Sequence, residues 1–277
     1  MSAAHPRHNP PSRHPRDFLP RLQSALLLYA LLLVLGTVSL VWNLVAVALY
    51  RVVRTEHART LGRGMIARIY RNFWRLASAC GMMRIDNRCL DALRDERGLI
   101  VIANHPSMLD ALLLVARLPR SVCIMKANLM KNIFLGGGAR LARYIRNDSP
   151  LGMVRMAVQD LRQGGQLVVF PEGTRTMAGQ LNAFRPGVTL IAKLAQAPIQ
   201  TVFIDTDSPY LGKGWPLWRL PPLPIVFTLR LGERFAPAQD SDLLLQQVEQ
   251  YYRHTMGPRP CETPVAACQT LQPPTLS

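Results

Sequence analysis

Residues 98–110 read GLIVIANHPSMLD, an apolar run followed at once by two ionisable residues, His105 and Asp110. Positions 99 to 103, bounded by a glycine and a polar cluster, have the length and composition of a buried strand. In open α/β sheets ligands gather beyond the carboxyl ends of the strands, which is where polar groups after such a run would serve a site. His105 falls just past the expected strand end and Asp110 in the first turn of the next helix, so both can face one crevice.

The same rhythm continues outward. Further candidate strands are SVCIM (121–125), QLVVF (166–170), IQTVFI (199–204) and IVFTLRL (225–231). Amphipathic stretches such as 107–117 and 152–163 lie between them, the second ended by Gly164 and Gly165. Alternation of this kind predicts an α/β fold with a mostly parallel sheet flanked by helices. The segment DTDSPYLGKGWPLWRLPPLP (205–224) is a Pro- and Gly-rich excursion, expected to touch lipid or line the pocket.

Upstream, residues 24–50 carry no charge, and a helix crossing a bilayer needs about 20 apolar residues. An N-terminal membrane-associated helical segment is therefore expected. A cleaved signal peptide is the alternative, since Ala46, Val47 and Ala48 give an AxA-like site, but a signal core is shorter, about 7 to 15 residues. Arg51, Arg54, Arg59, Arg63, Arg68, Arg71 and Arg75 then face a single Glu56, a flank that tends to stay in the cytoplasm. Within it Ile66, Ile69, Tyr70, Phe73 and Trp74 share one helical face. Such a helix can lie among lipid headgroups or pack on the catalytic core with its arginines solvated, and two apolar helices can also form a re-entrant hairpin. The expected organisation is a disordered basic tail (1–22), membrane anchor and amphipathic helix (23–80), an α/β domain (81–256) and a disordered tail (257–277).

The 277 residues, 49% hydrophobic, suffice for a sizeable core. Net charge is +16, and only four of the 33 basic residues are lysines. An arginine-rich surface attracts anions: nucleic acid, anionic headgroups or phosphorylated substrates. Aromatics are 7% and do not interleave with a basic run, so the stacking platforms of single-strand binders are missing and no nucleic-acid partner is expected. Five cysteines without a CxxC pair indicate neither a zinc ribbon nor a disulfide framework, and Cys123 is expected in the core.

Two readings of NHPSMLD compete. Ser107-Met108-Leu109-Asp110 fits a capping box, which accounts for Ser107 and Asp110 but leaves His105 and Asn104 unexplained. Alternatively, Asp110 accepts a hydrogen bond from one imidazole nitrogen of His105, fixing the tautomer and leaving the other as a general base for a substrate hydroxyl. Ser107 as nucleophile lacks a G-x-S-x-G elbow. No metal is expected, because no second histidine or carboxylate cluster accompanies His105. The second polar turn, FPEGTRT (170–176), follows another candidate strand. Gly173 permits close backbone approach, Arg175 can grip a phosphate with a bidentate fork, and Glu172 can orient that arginine or bind a polar ligand group. Read alone, it is also a plain turn with a solvated arginine. The GGG at 136–138 lacks the Lys-Ser/Thr of a nucleotide-binding loop.

Together, NHPSMLD and FPEGTRT resemble the first and third signature blocks of glycerolipid acyltransferases of the lysophosphatidic acid acyltransferase type, NHxxxxD and FPEGTR, over roughly residues 80 to 235. The resemblance implies His105 as catalytic base, Asp110 as its partner, and Glu172, Gly173 and Arg175 as binders of the acceptor's glycerol phosphate. The second block resembles KANLMKNIFLGGGARLARYIRND (126–148), with Lys126 and Gly136 matched, Ile133 in place of the usual proline, and Arg146 as a further acceptor ligand. The fourth resembles APIQTVFI (197–204), with Pro198 retained and Thr201 where a second proline is common. It implies an inner-membrane enzyme facing the cytoplasm. The enzyme would have no cofactor, acyl-CoA or acyl carrier protein thioester as co-substrate, and a lysophospholipid acceptor among membrane lipids. The rival classes are an acyltransferase for another hydroxylated lipid and a non-catalytic, membrane-tethered binder of anionic lipid.

Overall fold

The computed structural model describes residues 18–53, 55–176, 181–216 and 219–256. The expected tails, 1–22 and 257–277, fall almost wholly outside them. Two long helices lead, α1 (Phe18–Val52) and α2 (Thr55–Ala79). The rest of the chain forms β1 (Met83–Asp86), β2 (Leu99–Ala103), α3 (Asp110–Val115), β3 (Ser121–Met125), α4 (Gly136–Leu141) and β4 (Ile145–Arg146), then α5 (Pro150–Arg162), β5 (Gln166–Val169), α6 (Gly187–Ala195), β6 (Ile199–Thr206), β7 (Ile225–Phe235) and α7 (Ser241–Met256).

The strands make one sheet in the order β1-β7-β6-β2-β5-β3-β4. Five run parallel, while β7 is antiparallel to β6 and carries β1 parallel to itself. Every residue of β2 is buried, as its unbroken apolar run requires of a central strand covered on both faces. One face packs Val101, Val168, Val202 and Phe227 against Leu28 and Leu31 of α1, Tyr70 and Trp74 of α2, and Leu113 and Leu114 of α3. The other packs Ile100 and Ile102 against Leu161 of α5, Val188 and Ile191 of α6, and Val248 and Tyr252 of α7. Helix α5 starts where Ser149 Oγ accepts from Gly152 N at 3.2 Å with Pro150 in its first turn, and the chain turns away at Gly164, φ +81°. Helix α3 is shorter than the expected 107–117, because residues 105–109 are held in the site described below.

The amphipathic face of α2 lies on the core, not against headgroups: Ile66, Tyr70, Phe73 and Trp74 are buried. Nor are all its arginines solvated. Arg63 is buried, with Nη2 on Asp160 Oδ1 of α5 at 2.6 Å and Nε on Ala142 O at 2.9 Å. A paired and hydrogen-bonded charge of this kind fixes geometry more than it adds stability.

Residues Leu22–Val52 of α1 are long and apolar enough to cross a membrane. One stripe of the helix, Leu28, Leu31, Ser39, Asn43 and Ala46, is buried against the protein, while Leu33, Val41, Leu44 and Val52 are exposed. A continuous apolar face of that size is what a lipid or protein surface covers. The three glycines that open α4 explain the docking. Asn43 Oδ1 accepts from Gly137 N and, at 3.1 Å, from Gly138 N, and a Cβ on Gly138 would lie 2.7 Å from Trp42 Nε1. The GGG run is therefore a seat for α1.

Candidate active site

His105 leaves the carboxyl end of β2 with its ring stacked on Phe170 at the end of β5, centroids 4.1 Å apart and planes 18° from parallel. Its Nδ1 lies 2.8 Å from Asp110 Oδ2. The Asp110 side chain has no exposed area, whereas that of His105 is 20% exposed. With Nδ1–H donated to a carboxylate, the unprotonated nitrogen is Nε2, and among the described residues Nε2 has no hydrogen-bond partner. Burial raises the Asp110 carboxyl to about 6, against the lowering effects of the His105 hydrogen bond and charge and of the Ser107 backbone hydrogen bond.

Both readings of NHPSMLD hold in part. Asp110 Oδ2 also accepts from Ser107 N at 2.7 Å, the reach-back half of a capping box. The other half is absent, since Ser107 Oγ accepts from Leu109 N at 3.3 Å and donates to Tyr210 O at 3.0 Å. Ser107 is fully buried, which removes it as a nucleophile. Asn104 has a role that the spacing did not show: its side chain donates to Ile204 O and accepts from Ile204 N, both at 2.8 Å, extending the β2–β6 pairing by one residue.

The FPEGTRT turn supports His105 from the side. His105 N donates to Thr176 Oγ1 and Thr176 N donates to His105 O, each at 2.8 Å. The Thr176 hydroxyl in turn donates to Glu172 Oε1, and Glu172 Oε2 accepts from Asn182 N at 2.9 Å and Asn182 Nδ2 at 2.7 Å. Glu172 is thus buried and occupied. The carboxylate, expected to bind the acceptor, points inward, where it accepts from three donors. Through Thr176 it is linked to the His105 backbone.

Arg175 is half committed. Its Nη1 donates to Leu211 O at 2.9 Å and Gly212 O at 2.8 Å. Leu211 O also receives Met108 N at 3.2 Å, so the loop after β6 is stapled to both polar turns. Leu211 adopts φ +57°, a left-handed conformation costing a non-glycine residue about 1 to 2 kcal/mol. Residues 210–212 of the excursion thus lie against both polar turns, with Tyr210 and Leu211 buried. Lys126 is exposed at the carboxyl end of β3, two strands from β2, or about 10 Å. Arg146, exposed on β4, sits one strand further out and pairs with Asp148 at 3.1 Å, so it is not brought to the dyad. Phe170, Thr176 and Asn182 were missed as functional residues; the first two stand inside the quoted block, but nothing in their spacing showed which neighbour they would touch.

A mostly parallel sheet that presents, at its carboxyl edge, a histidine oriented by a buried aspartate has the geometry of a site for proton transfer. Residues 84–205 match the model of the acyltransferase family. Human 1-acyl-sn-glycerol-3-phosphate acyltransferase beta is 29% identical over 46% of this chain and 49% of its own length. The 1-acyl-sn-glycerol-3-phosphate acyltransferase of Pseudomonas aeruginosa is 25% identical over 43% and 49%. The chain spans about half the length of the curated relatives it matches. The crystal structure of the 1-acyl-sn-glycerophosphate acyltransferase of Thermotoga maritima shares the fold, with a TM-score of 0.64 and 21% identity over 85% of this chain and 96% of that one. Over its α/β core the chain is thus similar to acyltransferases, and the curated relatives it matches there are 1-acyl-sn-glycerol-3-phosphate acyltransferases.

Proposed function

We propose that this protein moves a fatty acyl group from an acyl thioester to the free hydroxyl of 1-acyl-sn-glycerol-3-phosphate, at the cytoplasmic surface of the inner membrane. His105 Nε2 takes the hydroxyl proton as that oxygen attacks the thioester carbonyl. The tetrahedral intermediate collapses, the carbon–sulfur bond breaks, and the imidazolium returns its proton to the departing thiolate. Asp110 holds the tautomer and offsets the imidazolium charge. General-base help of this kind contributes about 100- to 10,000-fold, and an acceptor oriented through its phosphate removes much of the remaining entropic barrier.

The observation that carries the reading is the His105–Asp110 contact of 2.8 Å with Nε2 left open at the carboxyl edge of the sheet. Lys126 and the uncommitted nitrogens of Arg175 are cations on that edge suited to a phosphate. The apolar outer face of α1 suits a site that draws a single-chain acceptor from a bilayer. A lipid-binding role without catalysis would need Asp110 only as a helix cap, and would leave the stacked, tautomer-fixed imidazole without a purpose.

The test follows thiol release from palmitoyl-CoA and, in parallel, from a palmitoyl thioester of acyl carrier protein, with lysophosphatidic acid as acceptor. Acceptor-dependent release by the detergent-purified wild type, lost in a folded His105→Ala variant, is expected. Equal release by both proteins would overturn the assignment.

A further inference from the structure

Gly173 is bare for a reason the FPEGTR turn does not itself contain. It adopts φ +67°, and a Cβ there would lie 2.8 Å from Cζ of Arg185, a residue outside both signature turns. The guanidinium of Arg185 is therefore laid across the turn that supports the catalytic histidine. Its backbone is anchored there: Arg185 N donates to Pro171 O at 2.9 Å, and the preceding Phe184 is buried, with its N–H donated to Glu249 Oε2 at 3.0 Å. Three residues earlier, Asn182 is held by Glu172. The side chain itself is exposed and, among the described residues, makes no ion pair or side-chain hydrogen bond. A cation with an anchored backbone and an unused fork, beside a turn where Arg175 already spends Nη1 on two carbonyls, is available for an anion.

We propose that Arg185 is a phosphate-binding residue of the acceptor subsite, its guanidinium closing over the Gly173 turn onto the phosphate of lysophosphatidic acid. The proposal rests on the acceptor reading above and adds a residue to it. Gly173 N donates to Phe170 O at 3.0 Å, and the Phe170 ring stacks on His105, so the guanidinium lies one tight turn from the base. In the acceptor, two carbons and an ester oxygen separate the hydroxyl oxygen from phosphorus. An acceptor with its hydroxyl at Nε2 would thus present its phosphate toward this turn, and the missing side chain at position 173 gives the guanidinium its place.

The experiment compares wild type, Arg185→Ala, Arg185→Lys and Arg88→Ala, the last removing an exposed arginine at the far edge of the sheet. Two acceptors are used, lysophosphatidic acid and 1-acylglycerol, which lacks the phosphate. Arg185→Ala is expected to raise KM for lysophosphatidic acid about tenfold or more, the size of one charge-assisted hydrogen bond. It should leave KM for the thioester and turnover of 1-acylglycerol unchanged. Arg185→Lys should recover part of the loss and Arg88→Ala should match wild type. An unchanged KM in Arg185→Ala, or an equal loss with both acceptors, overturns the proposal. If wild type does not acylate lysophosphatidic acid, the acceptor reading fails separately. The Arg185 assignment is then read from equilibrium binding of lysophosphatidic acid in a His105→Ala background, where about tenfold weaker binding on adding Arg185→Ala supports it and equal or absent binding overturns it.

Discussion

The Arg175 guanidinium meets the Leu211 carbonyl at 2.9 Å, and that same carbonyl receives Met108 N at 3.2 Å. One oxygen thus joins the FPEGTRT turn, the loop after β6 and the NHPSMLD turn. The arginine that the motif offers as a phosphate fork is also a structural staple, bound to the carbonyl of a residue in a left-handed conformation.

Arg175→Ala should therefore act on the site's architecture as well as on ligand affinity. Loss of two hydrogen bonds from a charged donor is expected to cost about 2 to 4 kcal/mol. Hydrogen exchange should rise at Met108 and across residues 209–212, and kcat should fall together with affinity. A variant that weakened acceptor binding with exchange and kcat unchanged would mean that Arg175 serves only as a ligand.

For the dyad, the sign of the pH dependence follows from Asp110. Its folded carboxyl titrates near 6, above the ordinary 3.8, so the folded state binds the proton more tightly and stability falls as pH rises from about 4 to 6. Above pH 6 the ionised group is a standing cost of roughly 2 to 3 kcal/mol. Asp110→Asn is expected to unfold at a higher temperature than wild type at pH 7 and at the same temperature near pH 4, while kcat drops by about 100- to 10,000-fold. In wild type, activity should decline as pH falls through about 6, when the carboxylate that orients His105 takes up a proton. Destabilisation by Asp110→Asn at pH 7 would show that its hydrogen bonds outweigh its burial.

Glu172 separates a positioning role from a ligand role. Glu172→Ala leaves the Thr176 hydroxyl and the two Asn182 donors without their acceptor, at about 1 to 3 kcal/mol for each donor that water does not reach. A clear drop in thermal stability is expected, with kcat reduced because Thr176 carries the His105 backbone. Glu172→Gln keeps an acceptor for Thr176 and should lie between. A raised acceptor KM with unaltered unfolding temperature would mean that Glu172 serves as an acceptor ligand.

These outcomes turn on what the sequence could and could not display. The runs LIVIA and SVCIM became β2 and β3 with the expected bounds, because a strand buried on both faces writes its burial as continuous apolar residues. The edge strand MRID, with two charges in four residues, and the two-residue β4 carry no such signal. The antiparallel course of β7 was equally silent, since an apolar run has no direction. Within the site, His105 and Asp110 were legible because five residues at a strand end leave few geometries. The direction of the Glu172 carboxylate was not, because it depends on Asn182, which lies ten residues on across a separate segment. Helix α2 displayed its apolar face but not what covers it.

Asn43 is the last case of a local sequence oddity with a tertiary cause: a polar residue in the middle of an apolar helix, buried, with its carbonyl on the first N–H groups of α4. Replacing it with leucine makes α1 more apolar, and on hydropathy alone would favour the helix. The prediction runs the other way. Leucine leaves the Gly137 and Gly138 N–H groups without an acceptor and pushes a branched side chain toward a seat built for close approach, so Asn43→Leu and Asn43→Ala should each lower thermal stability in detergent by about 1 to 3 kcal/mol. Retention in membranes should stay as in wild type, since the apolar length of Leu22–Val52 is kept. Unchanged stability with lost retention would mean that Asn43 serves the bilayer contact and not the junction between α1 and the glycines of α4.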